Sequence, residues 1–250
     1  MFIKAISSPQ RIMNVAVMFS GGKDSVFAVD QCLSKGYNIQ YLLSVKPSRR
    51  DCYLFHYATV EHTPLLADSL GYPHILVGCD VADPVQEAQI VRQVVEKNPV
   101  DAVVLGGVGL QETQIKSIRD ALFDLGVEVF AAHKDQDEEQ LMRTMIADGY
   151  EIIITEIASD GLTEEWLGRT LTVENFEKLR MLAKRYGFDL LGEGGYYNSL
   201  VIDGPIFTKQ IKIVESEKVM ETANSGYLKV LKTIVMPKME SIYNQGLQTS

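Results

Sequence analysis

The 250-residue chain is 46% hydrophobic and carries a formal net charge of −9. It can therefore bury a sizeable core, but it has little general attraction for a polyanion, and we expect no extended nucleic-acid-binding surface. Its three cysteines, Cys32, Cys52 and Cys79, form no CxxC pair, which disfavours zinc, iron–sulfur and disulfide frameworks and indicates a cytoplasmic protein. We also predict no membrane association, because the chain shows neither a signal-peptide apolar core nor the roughly 20 apolar residues of a membrane span.

Short apolar runs alternate with amphipathic segments in the first half of the chain. The runs "NVAVMF", "NIQYLLSV", "HILVG", "DAVVLGG" and "VEVFAA" are continuously apolar, as strands buried on both faces are. Helical spacing is found over residues 25–35, 62–70, 84–96 and 113–125, and glycine ends several of these segments. The alternation predicts an α/β fold with a doubly wound, mostly parallel sheet.

The second half has a different pattern. It contains one helix–strand pair, "LMRTMIADGYEIIITEI", a helix over residues 172–186, and several short strands that we expect to form a small mixed sheet. The polar segment from His133 to Gln140 is either a domain boundary or the charged start of a helix. We predict a first domain over residues 1–135, a smaller α+β domain over 136–235, and a frayed tail over 236–250.

The segment "FSGGKDSVF" follows the first predicted strand and begins a helix. The two glycines allow the backbone to approach a phosphate closely, while free amides and the helix dipole point toward it. Lysine adds positive charge and two serines add hydroxyl groups. The candidate phosphate-binding residues are Ser20, Gly21, Gly22, Lys23, Asp24 and Ser25. The alternative is a tight turn capped by Ser20.

The spacing of this loop excludes the common P-loop, GxxxxGK[ST]. Val17 occupies the position of its first glycine, and Asp24 follows the lysine where serine or threonine is required. A carboxylate beside a phosphate repels it unless a cation lies between them. Asp24 is therefore the predicted ligand of a magnesium ion.

The motif "SGGKDS" resembles the signature of the PP-loop, or N-type, ATP pyrophosphatases. The resemblance implies an adenine nucleotide alpha-hydrolase (HUP-like) fold, binding of ATP and Mg²⁺, and attack on the α-phosphorus with pyrophosphate as the leaving group. It also implies that Lys23 neutralises developing charge. The ends of the second and fourth strands would hold adenosine, at Ser44, Gly106 and Gly107, although the glycine pair is equally explained as a close-packed turn.

Three later segments, "GLTEEWLGRTL", "GEGGYYNSLVIDGPIF" and "KQIKIVESEKVMETANSG", resemble the diphthine–ammonia ligase family. The resemblance implies amidation of diphthine on elongation factor 2, with ammonium as the other substrate; we also predict a homodimer. The implied catalytic residues are Lys23, Asp24 and Glu193, and the implied substrate-binding residues are Gln114, Glu193, Gly194, Gly195, Tyr197 and Asn198.

The glycine-rich segment departs from the family motif GEGGEYETLVLDGPLF. Tyr196 and Asn198 stand where the family has glutamates, so two carboxylates are missing. Glu193 remains as a lone carboxylate that suits a cationic substrate, ammonia or a second magnesium ion, or else is simply solvated in a turn. Two alternatives stay open: a divergent PP-loop enzyme acting on a small-molecule carboxylate or a tRNA base, and a non-catalytic adenine nucleotide sensor.

Overall fold

A computed structural model describes residues 12–48, 60–106, 111–133 and 136–238. Their helices and strands follow the chain order β1 (Asn14–Met18), α1 (Lys23–Ser34), β2 (Asn38–Pro47), α2 (Thr63–Leu70), β3 (His74–Cys79), α3 (Pro84–Lys97), β4 (Ala102–Leu105), α4 (Gln111–Leu122), β5 (Glu128–Ala131), α5 (Glu138–Ala147), β6 (Glu151–Ala158), α6 (Val173–Tyr186), β7 (Tyr197–Asp203), β8 (Lys209–Met220) and β9 (Ser225–Pro237).

The first five strands form one parallel sheet in the order β3-β2-β1-β4-β5. This arrangement confirms the predicted doubly wound α/β fold. The chain moves outward from β1 through β2 to β3, and then in the opposite direction from β4 to β5. The carboxyl ends of β1 and β4 therefore flank the point where the winding reverses, which is where open α/β sheets bind their ligands.

Helices cover both faces of this sheet, so its central strand is wholly buried. Val15, Ala16 and Val17 of β1 have no exposed surface. On one face, α3 and α4 pack against the sheet with side chains such as Val91. On the other face, Phe27 of α1 belongs to an apolar core that continues into the second half of the chain. The two halves thus share one core on that face.

The last four strands form a second sheet in the order β7-β6-β9-β8, and every strand pair is antiparallel. The prediction of a small mixed sheet of short strands was therefore wrong. Residues 221–224 join the neighbouring strands β8 and β9, whereas a parallel pair needs a crossover of a dozen or more residues. β8 and β9 are also long, with 12 and 13 residues. This sheet with α5 and α6 confirms the smaller α+β domain.

Capping side chains mark where three helices begin. The carboxylate of Asp83 accepts hydrogen bonds at the start of α3, that of Asp137 accepts one from the Gln140 amide, and Thr172 caps α6. The polar segment His133–Gln140 thus includes the charged start of α5, the second of its two predicted interpretations. At the other end, β9 extends to Pro237, so residues 236 and 237 belong to a strand rather than to a tail.

Within the described residues, no helix is both long enough and apolar enough to cross a bilayer. Cys32 and Cys79 are both buried, and Cys52 lies outside the described residues. The same part of the chain contains no cluster of three or more histidine, cysteine or carboxylate side chains that could hold a metal ion by themselves.

Candidate active site

The loop between β1 and α1 lies at the carboxyl edge of the parallel sheet. Gly21 adopts a left-handed backbone with φ of 80°, a conformation that residues with a Cβ rarely adopt. Gly22 is the N-cap of α1 and has no side chain of its own that could cap the helix. The Ser25 hydroxyl donates to the Gly22 carbonyl at 2.9 Å. The loop therefore presents the open N-terminus of a 12-residue helix, as an anion site requires.

Strand β7 of the second sheet holds this loop in place. The Val201 amide donates to the Gly21 carbonyl at 3.0 Å, and the Lys23 amide donates to the Ser199 hydroxyl at 3.2 Å. A Cβ on Gly22 would lie only 3.1 Å from the Ser199 carbonyl oxygen, so a side chain there would require β7 to shift by a few tenths of an ångström. The loop conformation thus depends on the second half of the chain.

Lys23 and Asp24 form an ion pair at the start of α1. The Lys23 Nζ atom lies 2.7 Å from Asp24 Oδ2, and the lysine side chain is 7% exposed whereas that of Asp24 is 31% exposed. Burial acts to lower the pKa of the Lys23 ammonium, but the Asp24 carboxylate opposes it, and the pKa lies above its ordinary value. Lys23 is therefore a fixed, buried positive charge beside the loop.

His133, which follows β5, packs against the same helix start. Its Nε2 atom lies 3.2 Å from the Asp24 carbonyl oxygen, and its ring lies 4.7 Å from that of Phe27. The side chain is 1% exposed, and this burial lowers the pKa of the imidazole. Because a carbonyl oxygen only accepts, Nε2 carries the N–H group that donates to Asp24.

The segment that carries Glu193 is a turn organised by Asp189. One carboxylate oxygen of Asp189, Oδ1, accepts hydrogen bonds from the Leu191 amide at 2.8 Å and from the Glu193 amide at 3.0 Å. Gly194 and Gly195 both adopt left-handed conformations, with φ of 88° and 84°. The turn brings the Glu193 carboxylate into electrostatic range of Lys23 and Asp24.

Two carboxyl groups near the loop are less acidic than usual. Burial, followed by repulsion from Asp24, raises the pKa of Glu193 to about 7. Burial and the Asp24 and Asp189 charges also raise the pKa of Glu138, the first residue of α5. Perturbed groups of this kind cluster where chemistry takes place. The sequence-predicted residues Lys23, Asp24 and Glu193 therefore lie in one site, together with the unpredicted Glu138.

The predicted adenosine-binding positions at the strand ends have other contacts as well. The Ser44 hydroxyl donates to the Phe19 carbonyl at 2.6 Å and lies 2.8 Å from His74 Nε2. A Cβ on Gly106 would lie 2.4 Å from the Asp24 backbone carbonyl carbon, so this glycine lets β4 and α1 pack closely. Gly107 lies outside the described residues.

The remaining predicted substrate residues lie on both sides of the loop. Tyr197 is buried, donates its hydroxyl to the Leu190 carbonyl at 2.9 Å, and has its ring centre 5.9 Å from Lys23 Nζ. Asn198 donates to a carboxylate oxygen of Glu156 at 2.6 Å. Gln114 is half-buried in the first half of α4. Tyr197 thus supports the buried lysine, while Asn198 links β7 to β6.

Sequence reasoning missed Ser199, His133, Glu138 and Asp189. The "GEGGYYNS" motif ends on Ser199, so its membership of the motif was a signal, but its contact with Lys23 spans 176 residues. His133 and Glu138 were both within the segment interpreted as a boundary. His133 lies two residues after β5, and hence at the same edge of the parallel sheet as the loop. This position was the signal from which its place in the site could have been predicted.

Comparison with known proteins identifies the family. Residues 13–129 match the family model described as "Diphthamide synthase N-terminal domain", and residues 137–236 match "Diphthamide synthase C-terminal domain". Three proteins named diphthine–ammonia ligase are similar over most of their length. The Mus musculus protein is 30% identical over 259 aligned positions, covering 92% of this chain and 95% of that protein. The Homo sapiens protein is 28% identical, with the same coverage, and the Danio rerio protein is 28% identical over 91% of this chain and 98% of its own. The chain belongs to the diphthine–ammonia ligase family.

Proposed function

We propose that the protein is a diphthine–ammonia ligase, an ATP-dependent enzyme that converts the carboxylate of diphthine into an amide and releases AMP and pyrophosphate. The proposal rests on the two hydrogen bonds that Val201 and Ser199 of β7 form with the loop after β1. That contact joins the segments matched by both family models into one site. The names of the relatives supply the substrate class.

In the first step, an oxygen of the diphthine carboxylate forms a bond to the α-phosphorus of ATP, and the bond from that phosphorus to pyrophosphate breaks. Amides in the first turn of α1 hold the departing pyrophosphate, as helix N-termini do for anions. The buried Lys23 ammonium lies where negative charge develops. Fixed charges of this kind stabilise a transition state without reorganisation.

Ammonia then forms the C–N bond as the C–O bond to AMP breaks, and one proton leaves the nitrogen. The Glu193 carboxylate accepts that proton. A pKa of about 7 suits a group that exchanges protons near neutral pH. The products are an amide, AMP and a protonated Glu193, which returns its proton to solvent before the next cycle.

The residues of the loop fit a magnesium ion bound together with ATP. Mg²⁺ commonly binds proteins through one or two carboxylates, with phosphate oxygens and water completing its shell. Asp24 offers a partly exposed carboxylate beside the phosphate-binding amides. The ion would supply neutralisation of phosphate charge, and Asp24 would be its protein ligand.

Incubation of the protein with α-labelled ATP, ammonium and diphthine-bearing elongation factor 2 tests this function. We expect labelled AMP only when all components are present, and amidated factor by mass spectrometry. ADP as the product would contradict the α-phosphorus mechanism. AMP formation without dependence on the factor would contradict only the acceptor. The proposal includes elongation factor 2 as the protein that carries diphthine. It also includes a homodimer, which light scattering of the purified protein tests.

A further inference from the structure

One carboxylate oxygen closes the turn that carries Glu193. Asp189 Oδ1 accepts hydrogen bonds from the Leu191 amide at 2.8 Å and from the Glu193 amide at 3.0 Å. The backbone carbonyl of Asp189 accepts a further bond from the Gly192 amide at 3.1 Å. Hydrogen bonds from an amide to a charged carboxylate are stronger than those to a neutral acceptor. Asp189 thus ties down the backbone directly at Glu193.

Tyr197 holds the same turn from the first residue of β7. Its hydroxyl donates to the Leu190 carbonyl at 2.9 Å, and its side chain is buried. The centre of its ring lies 5.9 Å from Lys23 Nζ. A Cβ on Gly192 would lie 2.5 Å from the Tyr197 carbonyl oxygen, so the turn packs directly on β7. The turn is therefore supported from two sides, one of which contacts the buried lysine.

The composition of the turn explains why it needs these supports. Three glycines with left-handed backbones, Gly192, Gly194 and Gly195, surround Glu193. Glycine loses more conformational freedom on folding than any other residue. A segment with this composition keeps a single conformation only if other contacts hold it, and Asp189 supplies two of them.

The Glu193 carboxylate depends on this backbone for its position. Within the described ranges of the chain, no hydrogen bond or ion pair of its own holds the carboxylate in place. Its neighbour Leu191 lines one small cavity together with Lys23 and Asp24, so the turn adjoins the ion pair of the site. The orientation of the Glu193 side chain is thus set through its amide, and the amide is held by Asp189.

We propose that Asp189 is a positioning residue that holds Glu193 for the amide-forming step, with the Tyr197 hydroxyl as the second support of the turn. The inference rests on the proposed ligase function. Asp189 acts through the Leu191 and Glu193 amides and not on the substrates. Its loss should therefore impair the step in which Glu193 accepts a proton and spare the attack on the α-phosphorus.

The test compares Asp189→Ala with Asp189→Asn. Asparagine keeps the Oδ1 acceptor, and Oδ2 of Asp189 accepts no hydrogen bond among the described residues, so D189N retains both amide contacts. Each protein is assayed with diphthine-bearing factor for ATP–pyrophosphate exchange without ammonium, and for amide formation in a single turnover with saturating ammonium. We expect D189A to slow amide formation about tenfold or more, since small misplacements of a reacting group have effects of this size. Exchange should stay within about twofold of the wild type, and D189N should restore amide formation.

Asp83→Ala is the matched control. One oxygen of Asp83, Oδ1, also accepts two backbone amides, from Val85 at 3.1 Å and Gln86 at 2.9 Å, but it does so at the start of α3. D83A therefore loses the same kind of contact at a different place. Its urea unfolding should show a loss of stability similar to that of D189A, whereas exchange and amide formation should both match the wild type.

Tyr197→Phe provides a second variant that removes only the hydroxyl and keeps the ring beside Lys23. Loss of this one hydrogen bond should slow amide formation by about threefold or more and leave exchange unchanged; Y197F decides the test if D189A does not fold. Wild-type amide formation in D189A or Y197F, equal losses in D189A and D189N, or equal losses in the two assays would each overturn the positioning role. Wild-type protein that catalyses no exchange would instead overturn the proposed function, and the role of Asp189 with it.

Discussion

The Val201 amide donates a 3.0 Å hydrogen bond to the Gly21 carbonyl. A strand of the second sheet, β7, therefore fixes the conformation of the loop between β1 and α1. Leu66 on α2 and Leu200 on β7 also pack close to Gly21. A Cβ on Gly21 would lie 2.5 Å from Leu66 Cδ1 and 3.3 Å from Leu200 Cδ1. Both leucines are buried, so neither has room to move aside.

Gly21→Ala should therefore be more destabilising than a left-handed backbone alone explains. Gly36 is the matched control, because its φ is 70° but no atom lies within 4 Å of a Cβ built there. We expect Gly36→Ala to lower the free energy of unfolding by about 1–2 kcal/mol from backbone strain. Gly21→Ala should lose a further ~1–3 kcal/mol from overpacking, together with ATP binding.

Urea unfolding and calorimetric titration with ATP check this comparison. Equal losses in the free energy of unfolding of the two variants would show that the packing of the two leucines around Gly21 does not contribute to the difference.

Gly106→Ala should disturb the same loop from the other side. Its Cβ would lie 2.4 Å from the Asp24 carbonyl carbon and 2.7 Å from the Ser25 amide nitrogen, and backbone atoms cannot rotate away. We expect a loss of about 1–3 kcal/mol in the free energy of unfolding and weaker ATP binding. Gly78→Ala on β3 is the control, since its Cβ would meet nothing within 4 Å. A Gly106→Ala variant with wild-type ATP affinity would contradict the close packing of β4 against α1.

Most of the fold could be predicted from the sequence, because the first five strands are apolar runs separated by helical spacing. The position of the loop between β1 and α1 was equally predictable, since Ser20 to Ser25 are contiguous in the sequence. The contact between Lys23 and Ser199 could not be predicted, because it depends on how the second sheet docks. The contact of His133 with the start of α1 could not be predicted either. Whether a histidine near a domain boundary faces solvent or a helix depends on tertiary packing, which no local sequence pattern indicates.

The error in the second sheet has a similar cause. Strands were expected in the segments of β6, β7 and β8 but not in that of β9, and pairing direction depends on the connections. The short loop between β8 and β9 required that pair to be antiparallel, and this signal was present in the sequence. By contrast, the turn in which Asp189 Oδ1 accepts hydrogen bonds from the Leu191 and Glu193 amides could not be predicted, because these contacts depend on the folded backbone.

Lys23→Met should remove the positive charge that the proposed first step requires. We expect ATP–pyrophosphate exchange with diphthine-bearing factor to fall about 10²-fold or more, the usual consequence of losing a preorganised electrostatic group. Lys35→Met is the control, because Lys35 is exposed at the opposite end of α1. Its exchange rate should stay within twofold of the wild type. Comparable losses in both variants would indicate a general effect of charge rather than a role for the buried ammonium.

Glu193 should make stability depend on pH in a direction opposite to that of an ordinary paired carboxylate. Folding raises the pKa of its carboxyl group from 4.5 to about 7, so the folded protein binds this proton more tightly than the unfolded chain. Between these two pH values the contribution of Glu193 to the free energy of unfolding falls as pH rises. It is most favourable below pH 4.5 and is lost once pH passes about 7.

Glu193→Gln removes this titration, because an amide stays neutral at every pH. The variant should therefore gain stability relative to the wild type as pH is raised from 5 to 8, measured by urea unfolding with a chelator present and no nucleotide. Glu112→Gln, at an exposed position on α4, is the control and should leave the pH dependence unchanged. If the difference between E193Q and the wild type is the same at both pH values, the Glu193 carboxyl group titrates outside this range, and its role as a proton acceptor near neutral pH is wrong.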